Sequence, residues 1–466
     1  MNARTVFRDA TVISMDPAIG TLENADVLVE NDTIVHVGPG LGAVDAQEID
    51  ATGAILTPGF VDTHRHLWQS AIKGVFADWT TLQYMHGIRL HIAPMVTADD
   101  TYTATYAGAL ECLNNGVTTV LGYEHNVNTT EHAFAGAQAM VDAGVRGVYA
   151  LGMGQAPLAP RVFSRTADYI PVLDKLRDQF FTSATARVQL GVAPVELFMA
   201  SEDVVAEQFA LARSFGATLT LHINAVQNSV GEIARLAKAG LIASDIVFVH
   251  GEASTDDEYR QVADGGAAIC ACVEAEMAMA QGEPSLRKQR EFGLAPTVGV
   301  DSVGCCGGGV IAQVRMGMQI VRLADAHAQL AAGHNPEAVS VTAHEALEWG
   351  TINGAKALGI DSRIGSITVG KQADLVLFRA TSPDMAGYLR SNPAAAVVTQ
   401  SSAADIDTVM VAGDIVKHDG TLRDPGWGTQ RSRLTDLADR IAEQARQTDG
   451  SLIPSPPPQL PTEQGW

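Results

Sequence analysis

Through the middle of the chain, short apolar runs alternate with longer stretches whose apolar positions recur at helical spacing, the pattern of repeated strand–helix units. Eight runs read as strands: residues 55–63, 118–124, 145–151, 188–193, 218–223, 245–250, 267–273 and 296–301. Helical periodicity lies between most of them, over residues 98–113, 131–143, 200–214, 229–239 and 256–264. Eight strands separated by helices predict an α/β fold, a parallel (β/α)8 barrel. The connections over residues 67–96 and 152–163 exceed ordinary strand-to-helix loops and are expected to cover the mouth of the barrel.

The two ends of the chain have a different texture. Residues 5–13, 25–30 and 33–37 form short strand-like pieces with turns at Glu30-Asn31-Asp32 and Gly38-Pro39-Gly40. The same texture returns over residues 373–378, 408–411 and 413–416. Both termini are therefore expected to build a small β-sandwich, from residues 1–56 and 366–425, around a barrel of residues 57–365. Residues 426–466 read as a C-terminal helix, over 432–448, and a Pro-rich tail.

Composition narrows the partners. A formal charge of −22 over 466 residues opposes binding to nucleic acid or anionic lipid, where Lys and Arg supply the attraction. A small neutral organic substrate suits the chain better. No run of 18 apolar residues occurs, and the N-terminus enters a strand-like pattern directly, so a cytoplasmic protein without a membrane segment is expected. The five cysteines are too few and too unevenly placed for a disulfide framework. Cys270 and Cys272 sit in an apolar run and read as small buried hydrophobes rather than as a metal pair.

In a barrel, chemistry gathers at the C-terminal strand ends. The first strand ends in His64 and His66, whose i, i+2 spacing sends both imidazoles to one face. Taken alone the pair could equally be surface histidines near a turn. The fifth strand, however, ends in His222, the sixth in His250 and the eighth in Asp301, each closing an apolar run. Three neutral nitrogens from His64, His66 and His222 with an oxygen from Asp301 suit one divalent transition metal per subunit, Zn, Co or Fe, with a water at an open position. Asp301 would take the water's proton and return it to the leaving group. His250 would polarise a carbonyl or orient the attacking water.

These residues resemble the amidohydrolase superfamily, in the branch that holds cytosine deaminase and triazine hydrolases. The marks are Pro58-Gly59-Phe60-Val61-Asp62-Thr63-His64-Arg65-His66, Glu111 to Thr119, Gly299-Val300-Asp301, Thr351 to Gly359, and Gly365 to Val376, where the chain re-enters the small β-domain. The resemblance implies a mononuclear Zn, Fe or Co site, with His64, His66, His222 and Asp301 as ligands and His250 as an additional catalytic histidine. One departure matters. Deaminase and triazine-hydrolase members place a glutamate three residues after the fifth-strand histidine to protonate a ring nitrogen, whereas this chain has Ala225. That shifts the expected reaction toward hydrolysis at a carbonyl.

A narrower resemblance, to phenylurea and molinate (thiocarbamate) hydrolases, rests on Trp68, Ala77-Asp78-Trp79, the segment His125 to Thr129, and Glu274 with Glu276. It implies cleavage of a C–N or C–S acyl bond in a urea, carbamate, thiocarbamate or amide. Trp68, Trp79, Tyr84, Met153 and Phe163 become pocket walls, and Asn224 and Glu274 polar substrate contacts. His125 is expected to face the pocket as an acid–base group, with Glu124 as its partner or as support for His64 or His66. Ordinary packing is the simpler account of Met277, Met279, Cys305 and Cys306. A homo-oligomer, dimer or tetramer, is expected. The alternatives are a deaminase or dechlorinase of a nitrogen heterocycle and a barrel scaffold without catalysis.

Overall fold

A computed structural model describes residues 4–154, 162–225 and 229–449. Eight parallel strands, Phe60–Arg65, Val117–Glu124, Arg146–Gly152, Val188–Ala193, Thr218–Ile223, Ile246–His250, Ala268–Ala271 and Thr297–Val298, hydrogen-bond in chain order. The circle closes between the last and the first. Asp301 donates its backbone N–H to His64 O at 2.9 Å, and His66 donates its own to Asp301 O at 2.8 Å. Closure thus joins the two segments that carry the candidate ligands.

The apolar run at residues 55–63, expected as one strand, is two. Ile55–Pro58 pairs antiparallel with Leu375–Phe378 and parallel with Arg4–Ile13 in the terminal sheet, while Phe60–Arg65 enters the barrel beside Val117–Glu124. Gly59 is the joint. A Cβ there would lie 2.1 Å from Thr118 Oγ1, so only glycine lets the chain pass from one sheet to the other. Every residue of both strands is buried, which is why periodicity alone cannot find the break. The eighth strand is shorter than its apolar run. Beyond Val298, a Cβ at Gly299 would lie 2.8 Å from the backbone N and O of His64, and Asp301 turns left-handed at φ 63°.

Both termini build one nine-stranded mixed sheet, with Leu375–Phe378 and Ile55–Pro58 at its centre. A buried ion pair ties it to the barrel. Arg146, at the start of the third barrel strand, donates from Nε and Nη2 to both carboxylate oxygens of Asp374 at 2.7 and 3.0 Å, and the Ala412 N–H donates to the same carboxylate at 2.7 Å. Asp374→Ala would strand a buried guanidinium, so denaturant unfolding is expected to show a loss of about 3–5 kcal/mol. Unchanged stability would mean that Arg146 finds another partner.

The segment after the first strand, expected as a covering loop, contains the short helical pieces Leu67–Ile72, Thr81–Tyr84 and Met85–Ile92, the last with π-helical turns. Gly74 and Phe76 donate backbone bonds to Val303 O and Gly304 O at 3.1 Å each, which holds this segment over the loop that follows Asp301. Most of the second covering loop, residues 155–161, and the Pro-rich tail lie outside the described residues. The C-terminal helix begins earlier than expected, at Trp427, and runs to Asp449. Its Arg440 pairs with Asp100, at the start of Ala98–Asn114, at 2.5 Å. All five cysteines are free, and Cys270 and Cys272 are buried in the core with sulfurs 4.0 Å apart. Among the described residues no helix is long and apolar enough to cross a membrane.

Candidate metal centre and active site

Parallel strands deliver their last side chains to one end of the barrel, and there His64, His66 and His222 bring ring nitrogens into one group. His66 Nε2 lies 3.3 Å from His222 Nε2 and 3.3 Å from Asp301 Oδ1, and His64 Nε2 is also 3.3 Å from Asp301 Oδ1. A tetrahedral ion with bonds of about 2.0–2.1 Å spaces its ligand atoms by about 3.3–3.4 Å. The donor set therefore has the dimensions of a divalent metal site. His64 is fully buried, and among the described residues neither ring nitrogen finds a hydrogen-bond partner, the state of a ligand rather than of a satisfied core histidine.

The opposite ring nitrogens fix the orientation. His66 Nδ1–H donates to Tyr123 O at 3.0 Å and His222 Nδ1–H to Glu196 Oε1 at 2.5 Å, which leaves both Nε2 lone pairs facing the site. The Tyr123 ring stacks on His222, with centroids 4.6 Å apart, and meets His64 edge-on. Burial lowers the His64 imidazole to about 4 and holds His66 well below its usual range, so both are neutral, as ligands must be. Burial alone would raise the Asp301 carboxyl, but contact with His64 and the charges of His250 and His222 outweigh it and hold the group below its ordinary value. Asp301 is thus held as a carboxylate.

His250 stands outside the three-histidine group. It adopts φ 75°, a conformation non-glycine residues rarely take, and it stacks on His222 with centroids 5.4 Å apart. Its Nδ1–H donates to Glu276 Oε1 at 3.1 Å, and the same oxygen accepts the Cys272 N–H at 2.7 Å. Burial works against protonation of this imidazole, but Glu276 and the charges of Glu252 and Asp301 raise it to about 10. Of the glutamate pair at the seventh strand, Glu276 is the one that reaches the site. Glu274, expected as a substrate contact, instead meets Gln313, accepting from its Nε2 at 2.6 Å.

The other candidates fall into two groups. His125 is buried with its ring 3.8 Å from that of His66, and its Nε2 accepts from Trp68 Nε1 at 3.3 Å. Tyr84 takes a bond from Gln69 at 2.8 Å and packs on Phe76, as does the buried Trp79. These four share the covering segment or the histidine cluster. Met153 and Phe163 are buried in the main core, with Phe163 stacked on Tyr169 at 4.6 Å. The Asn224 amide is fully engaged, donating to Ser254 and Glu258 and accepting from the Glu232 N–H, so it anchors the rim. Glu124 differs from the expected pocket acid. Consecutive strand residues face opposite ways, and with His125 beside His66, Glu124 lies near Gly136 and Tyr149, where burial raises its carboxyl to about 8.

Glu196 escaped the sequence reading. It lies three residues beyond the fourth strand, Val188–Ala193, whereas His222 and His250 lie within theirs. A carboxylate just past an apolar strand end was the available signal.

A family model described as the amidohydrolase family matches residues 55–416. The 5-methylthioadenosine/S-adenosylhomocysteine deaminase of Symbiobacterium thermophilum is 28% identical over 459 residues, covering 95% of this chain and all of that one. The 5'-deoxyadenosine deaminase of Methanothermobacter thermautotrophicus is 24% identical, covering 86% of this chain and 91% of the other. Among solved structures, an adenosine deaminase from Xanthomonas campestris with bound zinc superposes with a TM-score of 0.82 at 21% identity, covering 95% of this chain and 99% of that one. With the matched span running from Ile55 in the terminal sheet, across the joint at Gly59, through the barrel and back into that sheet, this chain belongs to the amidohydrolase family.

Proposed function

We propose that the protein is a metal-dependent hydrolase that removes an exocyclic amino group from a nitrogen heterocycle, with adenine nucleosides altered at the 5' position as the leading substrates. The observation that carries this reading is the three-imidazole, one-carboxylate set at the barrel mouth, in a chain similar over nearly its whole length to nucleoside deaminases. His64, His66, His222 and Asp301 would hold a divalent ion, which would supply the Lewis acidity that makes a water nucleophilic near neutral pH. Asp301 accepts the water proton and passes it to the departing amino group. His250, held by Glu276, presents Nε2–H to the attacking oxygen or to the substrate atom that gains charge.

A second reading has one observation in its favour. Ala225 supplies no carboxylate at the fifth strand, which suits hydrolysis of a urea, carbamate, thiocarbamate or amide, where the carbonyl oxygen can be stabilised without a ring proton. A substrate panel separates the two. Metal-loaded enzyme is expected to release ammonia from 5'-methylthioadenosine, 5'-deoxyadenosine or an aminotriazine. Release of amine or thiol from phenylureas or thiocarbamates, with no ammonia from any heterocycle, would replace the first reading by the second.

A further inference from the structure

Hydrolytic deamination of an aromatic ring needs an acid as well as a nucleophile. When oxygen adds to the amino-bearing carbon, the C=N electron pair moves to the adjacent ring nitrogen, which must gain a proton for the adduct to persist. Asp301 cannot serve at that moment, because it is the base. Position 225 has no proton to give.

The neighbouring strand end does. After His250 the chain continues alongside the fifth strand's extension, with Gly251 donating to Ile223 O and Ala253 donating to Asn224 O, both at 3.0 Å. Glu252 lies between these two bonds and therefore sits on the rim at Asn224, the residue that precedes Ala225. Both of its carboxylate oxygens are buried, and neither has a hydrogen-bond partner among the described residues. Space is kept for this side chain, since a Cβ at Gly282 would lie 3.0 Å from Glu252 Cγ. A buried carboxyl with no protein partner is costly unless a ligand uses it. Leu, Met or Gln would fill the same volume more cheaply.

Resting on the deaminase reading, we infer that Glu252 is the proton donor to the substrate's ring nitrogen, supplied by the sixth strand where the fifth offers only Ala225. In the step, the water oxygen bonds to the ring carbon and its first proton goes to Asp301. The C=N pair shifts to the ring nitrogen, which takes the Glu252 proton. The amino group takes the proton held by Asp301, its C–N bond breaks, and ammonia leaves. The remaining hydroxyl proton returns to Glu252 as the C=O bond forms, so water enters, ammonia departs and both carboxyls are restored. The electrostatics agree with the assignment. Burial first, and the nearby Glu276 charge second, raise the Glu252 carboxyl to about 8, against the lowering effect of His250.

The test uses the full-length, metal-loaded enzyme with 5'-methylthioadenosine, scoring ammonia. Glu252→Gln should lower kcat by about 100-fold, with KM within a few-fold, metal content unchanged and Tm preserved. Adding Ala225→Glu to that variant should restore at least about tenfold of the loss, which a structural role for Glu252 would not allow. Turnover of Glu252→Gln within about threefold of wild type would overturn the proposal while leaving the deaminase reading standing. Loss of metal or of the folded state in Glu252→Gln would overturn it in favour of a structural role. Wild-type enzyme that releases amine from ureas and no ammonia from heterocycles would overturn both.

Discussion

Replacing His66 with alanine is expected to remove stoichiometric divalent metal and to lower turnover by roughly 10⁴-fold or more, since an unactivated water has a pKa near 15.7 rather than near 7. His66 is the residue on which the ligand geometry turns. Its Nε2 lies 3.3 Å from both His222 Nε2 and Asp301 Oδ1, so it defines two edges of the site. The substitution leaves the backbone closure of the barrel in place, because the His66 N–H to Asp301 O bond does not involve the side chain. Circular dichroism should therefore remain native while metal analysis falls toward zero. One equivalent of tightly held metal in the alanine variant would remove His66 from the ligand set and with it the proposed centre.

The barrel was legible because its strands are buried on both faces and read as uninterrupted apolar runs bounded by helical periodicity. The same property hid the break at Gly59, where two buried strands of different sheets adjoin with no polar residue between them. The ligand set was legible because strand ends are where a barrel places chemistry, and a histidine closing an apolar run is conspicuous. What lay beyond the strand ends was not. Glu196 and Glu252 stand on irregular backbone, and the latter follows two left-handed residues, His250 at φ 75° and Gly251 at φ 78°, whose turn no periodicity describes. Glu124 and His125 show the limit from the other side. Both are polar residues at a strand end; the sequence turns His125 toward the pocket, but it leaves Glu124 between partner and support, because that depends on register.

Ala225 turns the sequence reading toward a carbonyl substrate, but the local geometry shows how one position leaves ring deamination open. A catalytic carboxylate is constrained in space, not in sequence, and adjacent parallel strands put neighbouring rim positions within a few ångströms of each other. Asn224 and the residues after His250 are hydrogen-bonded neighbours, so a group lost from one strand end can be supplied from the next. The fifth-strand rim is itself well anchored. Asn224 at φ 44° is held by Ser254, Glu258 and Glu232, so its backbone carbonyl is a fixed point for the Ala253 N–H and hence for Glu252.

His250→Asn is expected to separate catalysis from metal binding. The imidazole belongs to the same cluster as the ligands by ring contact, 5.4 Å from His222 and 6.0 Å from His64, yet its nitrogens do not join the His64, His66 and His222 group. Its Nδ1 is committed to Glu276, itself fixed by the Cys272 N–H, which leaves Nε2–H for the proposed donation to the reacting atoms. Asparagine retains an N–H donor but is shorter and cannot span from Glu276 to the substrate. Removing one such donor costs about 10²–10³-fold in kcat, with metal content staying near one equivalent per chain. The sign of the charge matters as well. With Glu276 and Asp301 around it, a protonated His250 offsets two carboxylates and lowers the Glu252 carboxyl, so the neutral variant should raise that carboxyl further. Loss of stoichiometric metal in His250→Asn would place this histidine among the ligands, and full activity would leave the attacking oxygen without the donor assigned to it here.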